Sequence, residues 1–258
     1  MLACEGWRSE LENLADAISW LVEANNWWGT DGASIRLWEH VFLSLVGLVV
    51  ATSIALPLGL FIGHTGHGRV IFVQLANVGR AVPSLAILGL MFLIALELWP
   101  RLAFGFLPTI VALALLGIPV ILINTYVGID EVDADTVEAA RGMGMDGHEV
   151  LRRLEVPLAT PLIMTGLRLA AVQIVATAGL AALIGGGGLG RLVTDGYYQQ
   201  EQDQMVAGVI LIAALSVLTD GVFSLLARTT APRTSSRPRG GAARSGSEPQ
   251  PAEYLPGT

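Results

Sequence analysis

Apolar stretches long enough to cross a bilayer alternate along this chain with short polar segments. A crossing needs roughly 20 residues at about 1.5 Å rise each. Val41 to Ile62 is the first such stretch, with Pro57 inside it. Residues 80–98 form the second, opened by Arg80-Ala81-Val82-Pro83-Ser84, where the proline removes a backbone donor and frees a carbonyl that a neighbour or a cavity must satisfy. Residues 107–129, interrupted by Pro119, form the third, residues 162–183 the fourth and residues 205–226 the fifth. Between the first two, Gly63 to Arg69 reads as a solvated glycine-rich loop and Val70 to Asn77 as a helix at the inner surface. The pattern predicts an all-α transmembrane protein with five spans and its termini on opposite sides.

Ahead of the first span, Leu11, Leu14, Ala15, Ile18, Leu21 and Val22 stand at helical spacing with acids between them. That helix either lies on the membrane, with Trp27, Trp28 and Trp38 at headgroup depth, or packs on the protein's own outer surface, and the pattern leaves both open. Residues 1–38 read as an extracytoplasmic arm and 39–228 as the membrane domain. Residues 229–258, rich in Pro, Ser, Gly and Arg, read as a disordered cytoplasmic tail.

Composition fits a bilayer as solvent: 53% of the 258 residues are hydrophobic, 14% are charged, and the mean hydropathy is +0.60. All 15 basic residues are arginine. The missing lysine excludes a P-loop lysine, a Schiff-base lysine and a lysine base, so no ATP hydrolysis and no enzymatic activity are expected of this chain. Cys4, alone, excludes an internal disulfide and a cysteine zinc cluster; His64 and His67 lack a third ligand, and no metal or other cofactor is expected. A net charge of −7, if evenly spread, would argue against nucleic acid, and no nucleic-acid partner is expected. The charge is uneven, with seven acids and two arginines in residues 1–39 against five arginines and no acid in residues 228–244. Arg69, Arg80, Arg141, Arg152, Arg153 and the tail arginines share one side, which the positive-inside rule makes cytoplasmic, leaving the N-terminus outside.

The loop of residues 130–161 is therefore cytoplasmic, and it carries a spaced motif: Glu138-Ala139-Ala140, three residues, Gly144, nine residues, then Leu154-Glu155-Val156-Pro157. This resembles the EAA loop of the membrane subunits of binding-protein-dependent ATP-binding-cassette importers, with Leu154 and Val156 in place of the family's Ile and Leu. Residues 135–143 suit one short helix with acids in its first turn, Gly144 a sharp turn at positive φ, and the residues after it a second short helix, with Pro157 and Pro161 punctuating the return to the membrane. The resemblance implies that Glu138, Ala139, Ala140, Arg141, Gly144, Leu154 and Pro157 dock on a separate ATPase subunit. It also implies a second permease subunit, identical or homologous, and an extracytoplasmic substrate-binding protein, in the inner membrane of a bacterium.

Three further stretches are similar to the permeases of osmoprotectant importers, which carry glycine betaine, choline or carnitine. They are Val82-Pro83-Ser84-Leu85-Ala86, Asn124-Thr125-Tyr126 followed by Gly128-Ile129, and Ile184-Gly185-Gly186-Gly187-Gly188-Leu189-Gly190. In the family the glycine run lies near the outer mouth of the pathway; read alone, it suits a flexible linker. The alternatives are a permease of the same kind for an amino acid such as methionine, and a secondary transporter, which needs coupling-ion sites and usually shows internal repeats that this sequence does not clearly contain. Ser84, Asn124, Tyr126 and Gln173 are candidate pathway residues because they are polar at membrane depth, although bonds between helices explain them equally well. Arg168 and Asp220 are charges within the fourth and fifth spans, where each costs about 2.5 to 3.5 kcal/mol on insertion scales and needs a partner or water. Pairing with each other satisfies both, as a structural tie or as a gate.

Overall fold

The structure, a computed structural model, describes residues 13–230; the first twelve residues and the arginine-rich tail after Thr230 lie outside the described residues. Helix α1 covers residues 13–22 and is followed by a 3-10 turn, Ala24–Trp27. The chain continues through α2 (Ala33–Thr65), α3 (Arg69–Ala81), α4 (Ser84–Leu98), α5 (Pro100–Ala103) and α6 (Phe106–Asp130). Then come α7 (Ala134–Gly142), α8 (Gly147–Val150), a π turn (Leu151–Glu155), α9 (Val156–Ala178), a 3-10 turn (Gly179–Ile184), α10 (Gly190–Gln199) and α11 (Gln202–Thr230). The described residues are helices and turns throughout, an all-α architecture.

Four continuous helical segments are long and apolar enough to cross a bilayer: Ala33–Thr65, Phe106–Asp130, Gly147–Ile184 and Gln202–Thr229. The expected second span is built differently. Arg69–Gly79 and Ser84–Leu98 meet at 95°, and the pair makes a fifth crossing only if counted as one broken span. At 15 residues, α4 alone reaches only about 22 Å. Pro83 is the cause of the break. It sits at the N-cap of α4, where its missing N–H costs nothing, and its own carbonyl accepts from Ala86 and Ile87. The freed carbonyl expected within a continuous helix is thereby avoided.

Helix α6 lies at the centre, packed against α2, α9, α3 and α4, while α11 packs on α9 and α10 at the periphery. Lipid tails are as apolar as leucine, so helices associate here by close approach and not by escape from water. The sequence of α2 supplies the means: Gly47, Ala51, Ala55, Gly59 and Gly63 recur every fourth residue and so share one face. A Cβ built on Gly59 would stand 2.7 Å from the Cβ of Thr125 on α6, and one on Gly63 2.6 Å from that of Ile129. On the other flank of α6, Gly166 of α9 leaves room for Asn124 at 2.6 Å in the same sense. Ala51, Ala55, Ile121, Leu122, Tyr126 and Ala170 form the core so enclosed.

The arm packs on the protein. Ala17 is fully buried, and Trp20 and Trp27 join a cluster around Ala33, Leu189 and Leu192, whereas Trp28 and Trp38 remain exposed. Trp27 Nε1 donates to the Leu21 carbonyl at 2.7 Å, so its polar edge is used within the arm. Gly59→Leu forces a side chain into one of the two close approaches of α2 to α6, and overpacking of this kind costs about 1 to 3 kcal/mol. The detergent-solubilised protein is expected to lose thermal stability on this substitution, and an unchanged unfolding midpoint would contradict the packing described.

Candidate functional site: the 130–161 loop and its anchors

The loop is a self-capped helical hairpin. Asp133 opens α7 by accepting from the Asp135 N–H at 3.0 Å. At the far end of α7, Gly144 N–H bonds the Arg141 carbonyl and Met145 N–H bonds the Ala140 carbonyl, the paired bonds of a Schellman turn, with Gly144 at φ +90°. Two residues later Asp146 caps the next helix, accepting from the Glu149 N–H at 2.7 Å. The second helix is not a short one. It runs from Gly147 without a break to Ile184, so the loop's return arm is the first turns of the fourth span. Pro157 does not end it, because the preceding turn widens to π geometry: Val156 N–H reaches back five residues to Leu151, in the stretch where the proline ring would crowd the Arg153 carbonyl.

Of the residues expected to dock, Glu138, Ala139, Arg141, Gly144 and Pro157 are exposed, Leu154 is half-buried and Ala140 is buried beneath them. Met143 is 75% exposed, and a Cβ built on Gly142 or Gly144 meets nothing within 4 Å. The hairpin thus presents an open face with acidic, basic and apolar groups side by side.

Both roots of the hairpin are held where α2 ends and α3 begins. His64 Nδ1 lies 2.7 Å from Glu155 Oε2, with side-chain exposures of 18% and 7%. This corrects the expectation that His64 and His67 are both solvated loop residues: His67 is exposed, but His64 is packed against the loop's second root, with Gly147 beside it. At the first root, the Arg69 guanidinium lies 3.3 Å from the Asp130 carboxylate and over the Tyr126 ring at 5.2 Å from its centre. The Tyr126 hydroxyl donates to the same carboxylate at 3.2 Å.

At the opposite end of the bundle, the glycine run is not a loose linker. Gly188 N–H donates to Glu39 Oε2 at 2.8 Å and Leu189 N–H to His40 Nδ1 at 3.3 Å. His40 Nε2 in turn meets the Val175 carbonyl at 2.9 Å, which makes Nε2 the protonated ring nitrogen of this fully buried side chain. The glycines are there for space: a Cβ on Gly190 would lie 1.9 Å from the Gly179 carbonyl oxygen, and one on Gly187 2.6 Å from Glu39.

Residues 55–232, more than half the chain, match the model of the binding-protein-dependent transport system inner membrane component. The chain belongs to that family. It is 34% identical over 195 residues to a glycine betaine/carnitine/choline transport system permease protein of Bacillus subtilis, covering 76% of this chain and 87% of the relative. It is 32% identical over 205 residues to a choline transport system permease protein of the same organism, covering 79% and 91%. A Salmonella typhimurium osmoprotectant import permease protein is 32% identical over 198 residues, covering 76% and 81%. Among solved structures, the inward-facing MetNI methionine ABC transporter superposes with a TM-score of 0.69 at 20% identity, covering 77% of this chain and 96% of that one, a likeness of fold.

The four candidate pathway residues of the permease lie on α4, α6 and α9. Asn124 is spent on its own helix, its amide donating to the Val120 carbonyl at 2.7 Å. Tyr126 is 5% exposed and engaged at the loop root. Ser84 is half-buried at the start of α4, and Gln173 is exposed on α9. Arg168 and Asp220 are joined by two parallel bonds, Nε to Oδ1 at 2.6 Å and Nη2 to Oδ2 at 2.7 Å, tying α9 to the peripheral α11. What sequence reasoning missed is the pair of anchors, whose partners stand 91 and 61 residues apart. One signal was available: Glu155 is a carboxylate at the entrance of an apolar segment, which calls for a partner. Asp146→Ala removes the cap of the second hairpin helix, a change worth about 0.5 to 2 kcal/mol. Hydrogen exchange of the amides of residues 147–150 should quicken while α6 is unaffected; unchanged protection there would contradict the capping.

Proposed function

We propose that this permease subunit is the membrane-spanning part of an ATP-driven importer of quaternary-amine osmoprotectants such as glycine betaine, choline or carnitine. The observation that carries it is the exposed helical hairpin, whose EAA spacing is intact and whose Gly144 turn leaves an open face. Relatives named for betaine, carnitine and choline transport, alike over some three quarters of the chain, support the cargo. A methionine or other amino-acid cargo has weaker support, since the likeness to such transporters is one of fold.

In this assembly ATP is hydrolysed on a separate ATPase subunit, consistent with a chain that contains no lysine. Two permease subunits, identical or homologous, enclose the pathway, and an extracytoplasmic binding protein delivers the ligand. The permease domain occupies residues 39–228, with the arm of residues 1–38 outside and the arginine-rich tail of residues 229–258 inside, as the arginine distribution favours. The hairpin then faces the cytoplasm. Glu138, Ala139, Arg141 and Gly144 meet the ATPase, Pro157 lies at the edge of the contact, and Ala140 and Leu154 hold the hairpin from below. Closure of the ATPases on ATP displaces the hairpin and tips the balance between two arrangements of the spans.

The double variant Glu138→Arg with Gly144→Val reverses a charge on the open face and strains the turn. It is expected to insert in the membrane at wild-type level and to lose co-purification with the ATPase subunit. Retained co-purification would sink the docking role.

A further inference from the structure

The two anchors belong to one short segment, and that has a mechanical consequence. Residues 64–69 close a tight turn: Gly66 and Gly68 both adopt positive φ, at +68° and +74°, and Gly66 N–H bonds the Ile62 carbonyl at 2.9 Å. The turn is also tied internally, since the Thr65 hydroxyl accepts from the His67 N–H at 3.2 Å and His67 Nδ1 lies 2.9 Å from the Thr65 carbonyl. From its two ends it reaches both roots of the hairpin, His64 to Glu155 and Arg69 to Asp130. His64 closes α2, and Arg69 opens α3, which leads through the 95° bend into α4.

We infer that the 64–69 turn is a clasp that carries displacement of the 130–161 hairpin into α2 and, through α3, into α4, with His64, Glu155, Arg69 and Asp130 as its positioning residues. The inference rests on the ATPase acting at the hairpin. Without the clasp the hairpin still connects to α6 and α9 through the chain, but α2, α3 and α4 are linked to it only by side-chain packing. The bent pair is the segment best placed to move, because Pro83 has already broken the helix that would otherwise run straight across. The buried His64–Glu155 contact is the stronger half of the clasp; the Arg69–Asp130 pair is open to solvent and is stiffened by Tyr126.

The test uses the full importer, permease with ATPase and binding protein, reconstituted in liposomes, and reads substrate imported per ATP hydrolysed. His64→Ala, Glu155→Ala and Arg69→Asp are expected to keep ATPase co-purification and ATP turnover within about twofold of wild type and to lower import per ATP about tenfold. The exchanged pairs, Arg69→Asp with Asp130→Arg and His64→Glu with Glu155→His, are expected to restore the ratio to within about threefold. His64→Gln, which keeps a hydrogen bond to Glu155 and is the gentler change to the fold, is expected to stay near wild type. An unchanged ratio in the single variants, or exchanged pairs no better than the singles, overturns the clasp while leaving ATP-driven import standing. A wild-type complex that fails to import on ATP overturns the proposed function, and the clasp with it.

Discussion

Everything in this bundle depends on how closely helices can approach when the surrounding solvent is itself apolar. Burying leucine against leucine gains little in lipid, so contact between helices must come from dense packing and from a few polar ties. Helix α2 meets this with small residues every fourth position from Gly47 to Gly63, and α6 fits against it so closely that a single Cβ at Gly59 would collide with Thr125. The same α6 takes α9 on its other side at Gly166. Polar ties add to this: Arg168 with Asp220 holds the peripheral α11, and His40 with Glu39 holds the glycine turn at the far end.

The polar hairpin obeys the opposite rule, because its face is open. It cannot rely on burial, and it has few residues with which to stabilise two helix ends. Local hydrogen bonds do this instead, with Asp133 and Asp146 as caps and the Schellman bonds at Gly144 between them. Such a unit keeps its shape while moving as a body, and that suits a part that receives force from another subunit. Its roots, Asp130 and Glu155, lie where polar loop becomes apolar span, and there Arg69 and His64 meet them.

Much of this was legible in the sequence. Run lengths pointed to the long apolar helices, but not to the longer start of α2, the bent pair of α3 and α4 or the continuous second arm of the hairpin. The positive φ at Gly144 followed from a glycine between two helical stretches, and the mutual satisfaction of Arg168 and Asp220 followed from the cost of charge in lipid. The rest was hidden for physical reasons. Pro83 marks where the helix must break, but not the 95° angle between α3 and α4. The glycine run suits a linker by composition; only the approach of Glu39 to Gly187 and of the Gly179 carbonyl to Gly190 shows where a side chain is excluded by space. Polarity at membrane depth selected Asn124 and Tyr126 as pathway candidates; the Asn124 amide N–H and the Tyr126 hydroxyl each bond within their own helix, which the pattern of polar positions did not show.

Under the proposed function, ATP hydrolysed on another subunit drives a small cationic or zwitterionic solute through this permease. The direct measurement is uptake of radiolabelled choline and glycine betaine into proteoliposomes holding the complete importer, with ATP enclosed on the ATPase side and ionophores present to collapse proton and sodium gradients. Accumulation above the external concentration that requires ATP and ignores the ionophores is the predicted result. Accumulation that disappears with the ion gradients and proceeds without ATP would contradict it.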